Sequence, residues 1–405
     1  ATTIRWAIRT GKPKMGLPLR YNWRNLMVRK SATLLTLAIV SAIVFVLAWA
    51  LAFGRGMQDS MNAGGLDDKL IVIKPGATAE STSIITLEEY NLLTQIQGLA
   101  VRDDGQVLRS GEICAQASLP RRGGQPNQDA PVAVRGIEEI GFDVHTNVRI
   151  TEGRRFKKGS DELIVGAAIR ERIAGLDIGD EIMLGYLGTR PYKVVGIFEA
   201  DGGPLESEVW GWLPSLRAAF GRELLSSVAL RIKDPRQADE IIKRIKQPPF
   251  KLNAKSEPRY YSDIAEKSTQ IVYLTLILVV FMGVGACFAV ANTIYTSVAN
   301  RSREIAMLRT IGYSQRAIVA AFIIEAAMVC GVAGLIGLAG AACFQGQRQD
   351  FMALDTWSTF AYRMNLTPGI LVTALAAALL VAVIGAFVPA YRASRVEIVT
   401  ALRQG

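Results

Sequence analysis

The stretch ANRSREIAMLRTIGYSQRAIVAAFIIEA, residues 299–326, lies between two long apolar runs. It carries Arg301, Arg303, Arg309 and Arg316 against Glu304 and Glu325. Ile305, Leu308 and Ile311 recur at three-residue spacing, the pattern of an apolar edge on a helix. Gly312 reads as a C-terminal stop and Ser314 as the cap of the next helix. A helix this short is not stable alone. It needs a surface to dock on, either a groove on another protein with acidic groups for its arginines or the face of an anionic membrane.

Four runs lack charge: 31–54, 268–300, 326–347 and 364–391, the third extending back across Glu325 to 317. About 20 apolar residues suffice to cross a hydrocarbon core of about 30 Å, so each run is long enough. Half of the 405 residues are apolar and a fifth are charged, and the mean hydropathy is positive. The expectation is an α-helical integral membrane protein with four spans. Its large α+β domain sits between the first and second spans.

Charge sets the expected orientation. Eight basic residues and no acid precede the first run, and four arginines lie in 299–326. Arg392, Arg395 and Arg403 follow the last run against Glu397. The segment 55–267 holds 29 basic and 31 acidic residues. The positive-inside rule then places both termini in the cytoplasm, with 55–267 and 348–363 outside. The net charge of +10 comes from span flanks, without the basic stripe and interleaved aromatics of a nucleic-acid binder. Ala50-Leu51-Ala52 resembles a signal-peptidase site, but the apolar core is too long, so an uncleaved signal anchor is expected. Residues 17–30 place Leu19, Trp23, Leu26 and Met27 on one face of a basic amphipathic helix suited to the membrane interface.

The outer segment alternates short strands and helices. Strands are expected at 70–73, 131–138, 162–166, 180–184, 192–198 and 228–234. A capping box at Thr86–Glu89 opens a helix to about 97. Further helices are expected at 167–174 and 235–247. From Tyr260 and Tyr261 the helical pattern runs into the second span, so these tyrosines belong to a stalk.

The search for chemistry leaves little. No P-loop occurs; the stretch 153–160 comes nearest and lacks the lysine after its second glycine. The acidic pairs Asp67-Asp68, Glu88-Glu89, Asp103-Asp104 and Glu138-Glu139 read as solvated surface. Arg154, Arg155, Lys157 and Lys158 read as a solvated turn, and Trp210 and Trp212 as domain packing. The single histidine, His145, supports no triad and no metal cluster. Of the four cysteines only Cys114 lies outside the spans, so the outer domain is expected to have no internal disulfide. Glu325 is the only acid inside a span and reads as a structural ion pair or hydrogen bond near the interface, with a role in transport as the alternative. No catalytic residue and no metal ligand is assigned, and no enzyme activity is expected of this chain.

Residues 292–326 resemble the most recognisable stretch of the FtsX-like permeases, the membrane subunits of MacB- and LolC/LolE-type ABC systems. So do 389–403 and 21–36, and so does the order of one span, a large outer domain and three spans. The resemblance implies a MacB-like periplasmic core domain and a dimeric permease of the bacterial inner membrane. It also implies a coupling helix formed by Arg301, Arg303, Glu304, Ile305, Leu308, Arg309, Ile311 and Gly312, seated on a cytoplasmic ABC ATPase. Unlike MacB, no ATPase domain is fused within these residues, so ATP and Mg are expected on a separate partner and no cofactor in this chain. The implied domains are a cytoplasmic 1–30, spans at 31–54, 268–300, 317–347 and 364–391, and an outer domain with stalk at 55–267. The coupling segment is 301–316, the short outer loop 348–363 and the cytoplasmic C-terminal helix 392–405. Implied partners are a second permease copy or homologue, membrane lipids and a MacA-like adaptor. The implied function is ATP-driven export or mechanotransmission acting on lipid, lipoprotein or amphipathic cargo. The alternative is an FtsX-like signal transducer that moves no cargo.

Overall fold

The computed structural model describes residues 30–124, 129–353 and 358–395. The expected interfacial helix at 17–30 and most of the expected C-terminal helix fall outside the described residues. In chain order come α1 (Lys30–Asn62), β1 (Lys69–Ile73), α2 (Leu87–Leu92), β2 (Arg109–Pro120), β3 (Asp129–Ile137) and α3 (Gly141–Val144). Next are β4 (Arg149–Gly153), β5 (Glu162–Gly166), α4 (Ala167–Arg170), β6 (Glu181–Leu184), β7 (Arg190–Glu199) and β8 (Glu208–Trp212). Then follow α5 (Leu213–Ala219), β9 (Ser227–Arg231), α6 (Ala238–Lys246), β10 (Asn253–Ser256), α7 (Glu257–Ala299) and α8 (Ser302–Thr310). The chain closes with α9 (Gln315–Ala342), the strands β11 (Arg348–Ala353) and β12 (Ser358–Arg363), and α10 (Pro368–Ser394).

The chain divides into two compact units, one of 1–54, 270–346 and 364–405, the other of 55–269 and 347–363. Among the described residues four helices, α1, α7, α9 and α10, are long and apolar enough to cross a membrane. Within the membrane unit small residues let the helices approach. A Cβ at Gly337 on α9 would lie 2.5 Å from the Ser41 carbonyl oxygen of α1. One at Gly385 on α10 would lie 2.8 Å from the Cys287 carbonyl oxygen of α7. Of the small residues of 331–343, Ala333, Gly334, Gly337 and Ala341 are buried within this chain, as van der Waals contact between apolar spans requires. Thr36 and Thr293 share a 2.7 Å hydrogen bond between α1 and α7, so each hydroxyl has a partner away from lipid.

The inserted unit is built on a mixed ten-stranded sheet ordered β10-β1-β9-β2-β3-β8-β5-β7-β4, with β6 paired to β7. β3–β8 and β5–β7 run parallel. The core draws Leu70, Val72, Ile113, Val134, Leu163, Val209 and Leu230 from the sheet and Ile241 and Ile245 from α6. All six expected strands are present, close to their expected bounds. β2, β4, β8 and β10 were not expected. β2 carries Ser110 and Glu112 buried near its start, which breaks the alternation that marks a strand.

Three expectations on helices and loops are corrected. The helix at 167–174 stops at Arg170, because Ile173 bridges to Arg121 and Ala174 N–H donates to the Pro120 carbonyl at 2.9 Å. The helix after Thr86 has the expected reciprocal capping box but gives way at Leu93 to a 3-10 turn. The loop at 348–363 is a hairpin, β11 pairing antiparallel with β12.

Substituting Gly337→Leu is expected to destabilise the membrane unit by about 1–3 kcal/mol through overpacking. Gly331→Leu, on the same helix with nothing within 4 Å of its position, is the matched control. Thermal unfolding of both variants in detergent checks this: equal melting temperatures would be the contrary result.

Candidate functional site

Two places hold the residues of interest, one in each unit. In the membrane unit, α8 is the stretch quoted at the outset. Gly312 ends it with φ at +96°, a conformation that glycine reaches without steric cost. The Gly312 N–H donates to the Arg309 carbonyl and the Tyr313 N–H to the Leu308 carbonyl, each at 3.1 Å. Ser314 caps α9, its hydroxyl accepting from the Ala317 N–H at 3.2 Å.

The side chains of α8 divide differently from the sequence pattern. Ile305 is 4% exposed and Ala306 is buried too, so Ile305 packs within this chain and is not on a docking edge. Arg309 is half-buried, and its Nη1 donates to the Ser394 carbonyl at the end of α10 at 2.5 Å. Leu308 is half-buried as well. Arg301 Nη1 pairs with Glu325 at 3.1 Å and its Nε with Glu304 at 3.4 Å. Glu325 is buried and also accepts from Ser297 Oγ at 3.3 Å, which matches its reading as a structural ion pair. What remains outward is Arg303, Glu304, Met307, Thr310 and Ile311, with Met307 56% and Ile311 55% exposed. Arg303, Met307 and Ile311 stand at i, i+4 and i+8, one helical stripe. Met307 escaped the sequence reading because the three-residue repeat passes over it, although its last member, Ile311, shares the exposed stripe.

The second place is a buried ionic cluster in the inserted unit, which sequence reasoning missed. Arg135 on β3 is buried and engages three carboxylates. Its Nε donates to Glu208 at 2.7 Å and its Nη2 to Glu208 and Glu80, each at 2.9 Å. Its Nη1 donates to Glu80 at 2.9 Å and to Glu112 at 2.6 Å. A guanidinium has five N–H donors, and these five bonds match them. Glu208 also accepts from the Trp210 indole at 2.8 Å, and Glu80 from Ser227 at 2.6 Å.

The network continues to the root of α7. Glu112 Oε1 lies 2.7 Å from His145 Nε2, and His145 Nδ1 lies 2.6 Å from Lys69 Nζ. Lys69 donates to Glu257 Oε1 at 2.6 Å, and Glu257 Oε2 accepts the Leu66 N–H at 2.9 Å. The expected stalk residues Tyr260 and Tyr261 are buried, in edge contact with rings 5.3 Å apart. Tyr260 Oη accepts the Glu80 N–H at 3.1 Å. The helix begins at Glu257, three residues before the expected Tyr260, with Pro258 in its first turn, where proline is tolerated.

Burial alone raises a carboxyl pKa, yet Arg135 holds Glu80 below its ordinary range. At Glu112 burial is likewise outweighed, by His145, Arg135 and Lys69, and the carboxyl is held far below that range. Burial would also make Arg135 easier to deprotonate, but Glu208 and Glu80 push its pKa well up. Glu80, Glu112 and Arg135 are thereby favoured in their charged forms. The guanidinium fills the space between the carboxylates, and among the described residues no His, Cys, Asp or Glu group is arranged to hold a metal ion.

The acid pairs singled out from sequence are not part of this cluster. Asp68 pairs with Arg231 and Glu89 with Lys74, both partly exposed. In the basic turn Arg154 forks onto Glu162 at 2.7 and 2.6 Å, which holds the Glu162 carboxyl at about 2. Arg155 stacks over Phe142 at 4.3 Å. Trp210 is fully buried, as expected. A charge in the middle of the apolar strand PVAVRGI was the visible sign of the cluster.

The comparisons with known proteins fit this arrangement of spans and inserted sheet. A model of the MacB-like periplasmic core domain matches residues 32–247, and one of the FtsX-like permease C-terminal region matches 276–398. The chain belongs to the MacB-like, FtsX-like permease family. A probable export ATP-binding/permease protein of Pseudomonas fluorescens is 25% identical over 405 residues, covering 94% of this chain and 59% of the relative. The macrolide export ATP-binding/permease protein MacB of Burkholderia pseudomallei is 25% identical over 410 residues, covering 95% of this chain and 59% of the relative. The chain thus spans 59% of the length of these curated relatives. Among solved structures, the extracellular domain of the ABC-type transporter YknZ from Gram-positive bacteria is 19% identical with a TM-score of 0.30, covering 43% of this chain and 87% of that one.

Removing Arg135 should leave three buried carboxylates without their cation. Arg135→Met is expected to cost about 3–5 kcal/mol, the scale for breaking a buried ion pair. Because Glu80 and Glu112 have depressed pKa values in the fold, the stability they add is present above the ordinary carboxylate range and is lost on acidification through their folded values. Without Arg135 those carboxyls can take protons, so the deficit of the variant should be larger at pH 8 than at pH 5. Denaturation at both pH values measures this, and a deficit that grows on acidification would contradict it.

Proposed function

We propose that this permease couples ATP hydrolysis by an ABC ATPase to movement of its inserted domain. In this reading the ATPase seats on α8 at the cytoplasmic face of a bacterial inner membrane. Both termini lie on that side, and the inserted domain lies in the periplasm. The single observation that carries the reading is α7. It is one unbroken helix from Glu257, locked into the ionic cluster, to Ala299, immediately before α8. A push at α8 would travel along α7 to the sheet. Arg303, Met307 and Ile311 would make the ATPase contact. Arg301, Glu325 and Arg309 would hold α8 rigidly to α9 and α10 so that the push is not dissipated.

The spans favour movement of the domain over a polar path through them. The buried polar side chains of the described spans are few, Thr36, Ser297 and Glu325 among them, and these are tied to one another's helices. The cargo would then be a lipid, lipoprotein or amphipathic molecule reached from outside the membrane. A second permease copy and a periplasmic adaptor complete the proposed assembly. The same movement could instead regulate an outer partner, as in an FtsX-like transducer.

Purification of the chain with its ATP-binding component tests the reading. Arg303→Glu combined with Met307→Asp should abolish co-purification and stimulated ATP turnover. Arg316→Ala, an exposed site outside the stripe, should leave both intact. Retention of the ATPase by the double variant would overturn the assignment of the stripe. An ATPase that answers to a bound hydrolase and not to lipid would select the transducer.

A further inference from the structure

A groove with a volume of about 680 Å³ runs along the membrane unit between α1, α7 and α10. Val40 and Val44 of α1, Gly283 and Tyr295 of α7 and Ile384 and Val388 of α10 mark its walls. Among the described residues no charged side chain lines it. Ala286 and Ala378 at its base are buried, whereas Val280, Val284 and Phe288 at its rim are exposed. Along α7 it extends from Val279 to Tyr295, about 24 Å at 1.5 Å per residue. One leaflet contributes half of a hydrocarbon core of about 30 Å, so an extended acyl chain fits lengthwise. A helix of about 10 Å diameter would need more than twice the groove's volume over the same length. A second copy of the chain could lie across its mouth but could not fill it.

The two ends of the groove differ in chemistry. At one end Leu47, Val279 and Ala377 make the lining aliphatic. At the other, nearer α8, Tyr295 closes the wall, and the Arg392 guanidinium lies over its ring at 6.0 Å. One turn further along the chain, Arg395 lies over the Tyr391 ring at 4.6 Å, and Tyr391 stacks on Phe387 at 6.3 Å between centroids. Both arginines are exposed. Tyrosines at the end of a span mark headgroup depth. A ring contact uses the flat face of a guanidinium and leaves its in-plane donors able to reach a phosphate. The groove is thus apolar along its length and cationic at one end, the complement of a lipid with an anionic head.

We propose that this groove binds one acyl chain of an anionic phospholipid, with Arg392 and Arg395 on the headgroup phosphate. A zwitterionic lipid carries an ammonium group that the two arginines repel, so the arginines select the head and the groove selects the chain. The site requires neither cargo nor ATPase, and it stands or falls independently of the transport reading.

The whole chain, purified in detergent, is given an equal mixture of phosphatidylglycerol and phosphatidylcholine with matched acyl chains, and native mass spectrometry measures the lipid retained. The wild type should keep a single phosphatidylglycerol in preference to phosphatidylcholine by roughly tenfold, the scale of two arginines at an anionic lipid surface. Arg392→Gln combined with Arg395→Gln should remove the preference. Gly283→Leu puts bulk into the groove, with nothing within 4 Å of the added Cβ, and retention of both lipids should fall. Gly285→Leu, equally open but off the groove's walls, should match the wild type. Soluble glycerol phosphate in excess should displace nothing, because a headgroup alone has no chain for the groove. Equal retention of the two lipids by the wild type would overturn the proposal. So would full retention in Gly283→Leu, or displacement by glycerol phosphate. Loss of a dimer in Gly283→Leu with its lipid retained would overturn it too, and would assign the groove to contact between copies.

Discussion

A guanidinium taken out of water must have all its N–H donors met, and carboxylates buried beside it must have their charge met, or the fold pays several kcal/mol for each. Arg135 and its three glutamates satisfy both conditions at once. The residues concerned come from β3, β2, β8 and the 3-10 turn at Glu80. Making every bond requires these segments to lie side by side. The strand order β2-β3-β8 is the arrangement that brings Glu112 and Glu208 to either side of Arg135.

The same network reaches α7 through His145, Lys69 and Glu257. A long apolar helix has no intrinsic reason to grip a polar domain. Here its first turn supplies Glu257 and Tyr260, which close open valences of the cluster. The helix and the sheet are consequently joined by short, directional bonds in a water-poor setting, where such bonds are strong and their loss is costly. A joint of that kind holds the first turn of the helix against the sheet.

At the other end of α7 the logic is reversed. α8 buries Ile305 and Ala306 and commits Arg301 and Arg309 to the rest of the membrane unit. The chain thus uses half of a short helix to hold it in place. The other half, with Arg303, Met307 and Ile311, is left outward. A helix of nine residues could not present a defined surface otherwise, because it lacks the length to be stable unsupported.

The four spans, the inserted domain between the first and second, six of its strands, the caps at Thr86 and Ser314 and the stop at Gly312 were legible in the sequence. Each depends on residues close together along the chain, where apolar run length, period and capping chemistry act. Glu325 was legible as an ion pair because a charge within a span has few options. The cluster was not legible. Lys69, Glu80, Glu112, Arg135, His145, Glu208 and Glu257 are scattered along the chain from β1 to α7, and each by itself looks like one more surface charge or a stray histidine. Only the packing of β1, β2, β3, β8 and α7 into one sheet-and-helix unit removes their water and makes them partners. Likewise, which edge of α8 is inward was decided by where α9 and α10 lie, since a three-residue repeat marks an apolar edge without saying what covers it.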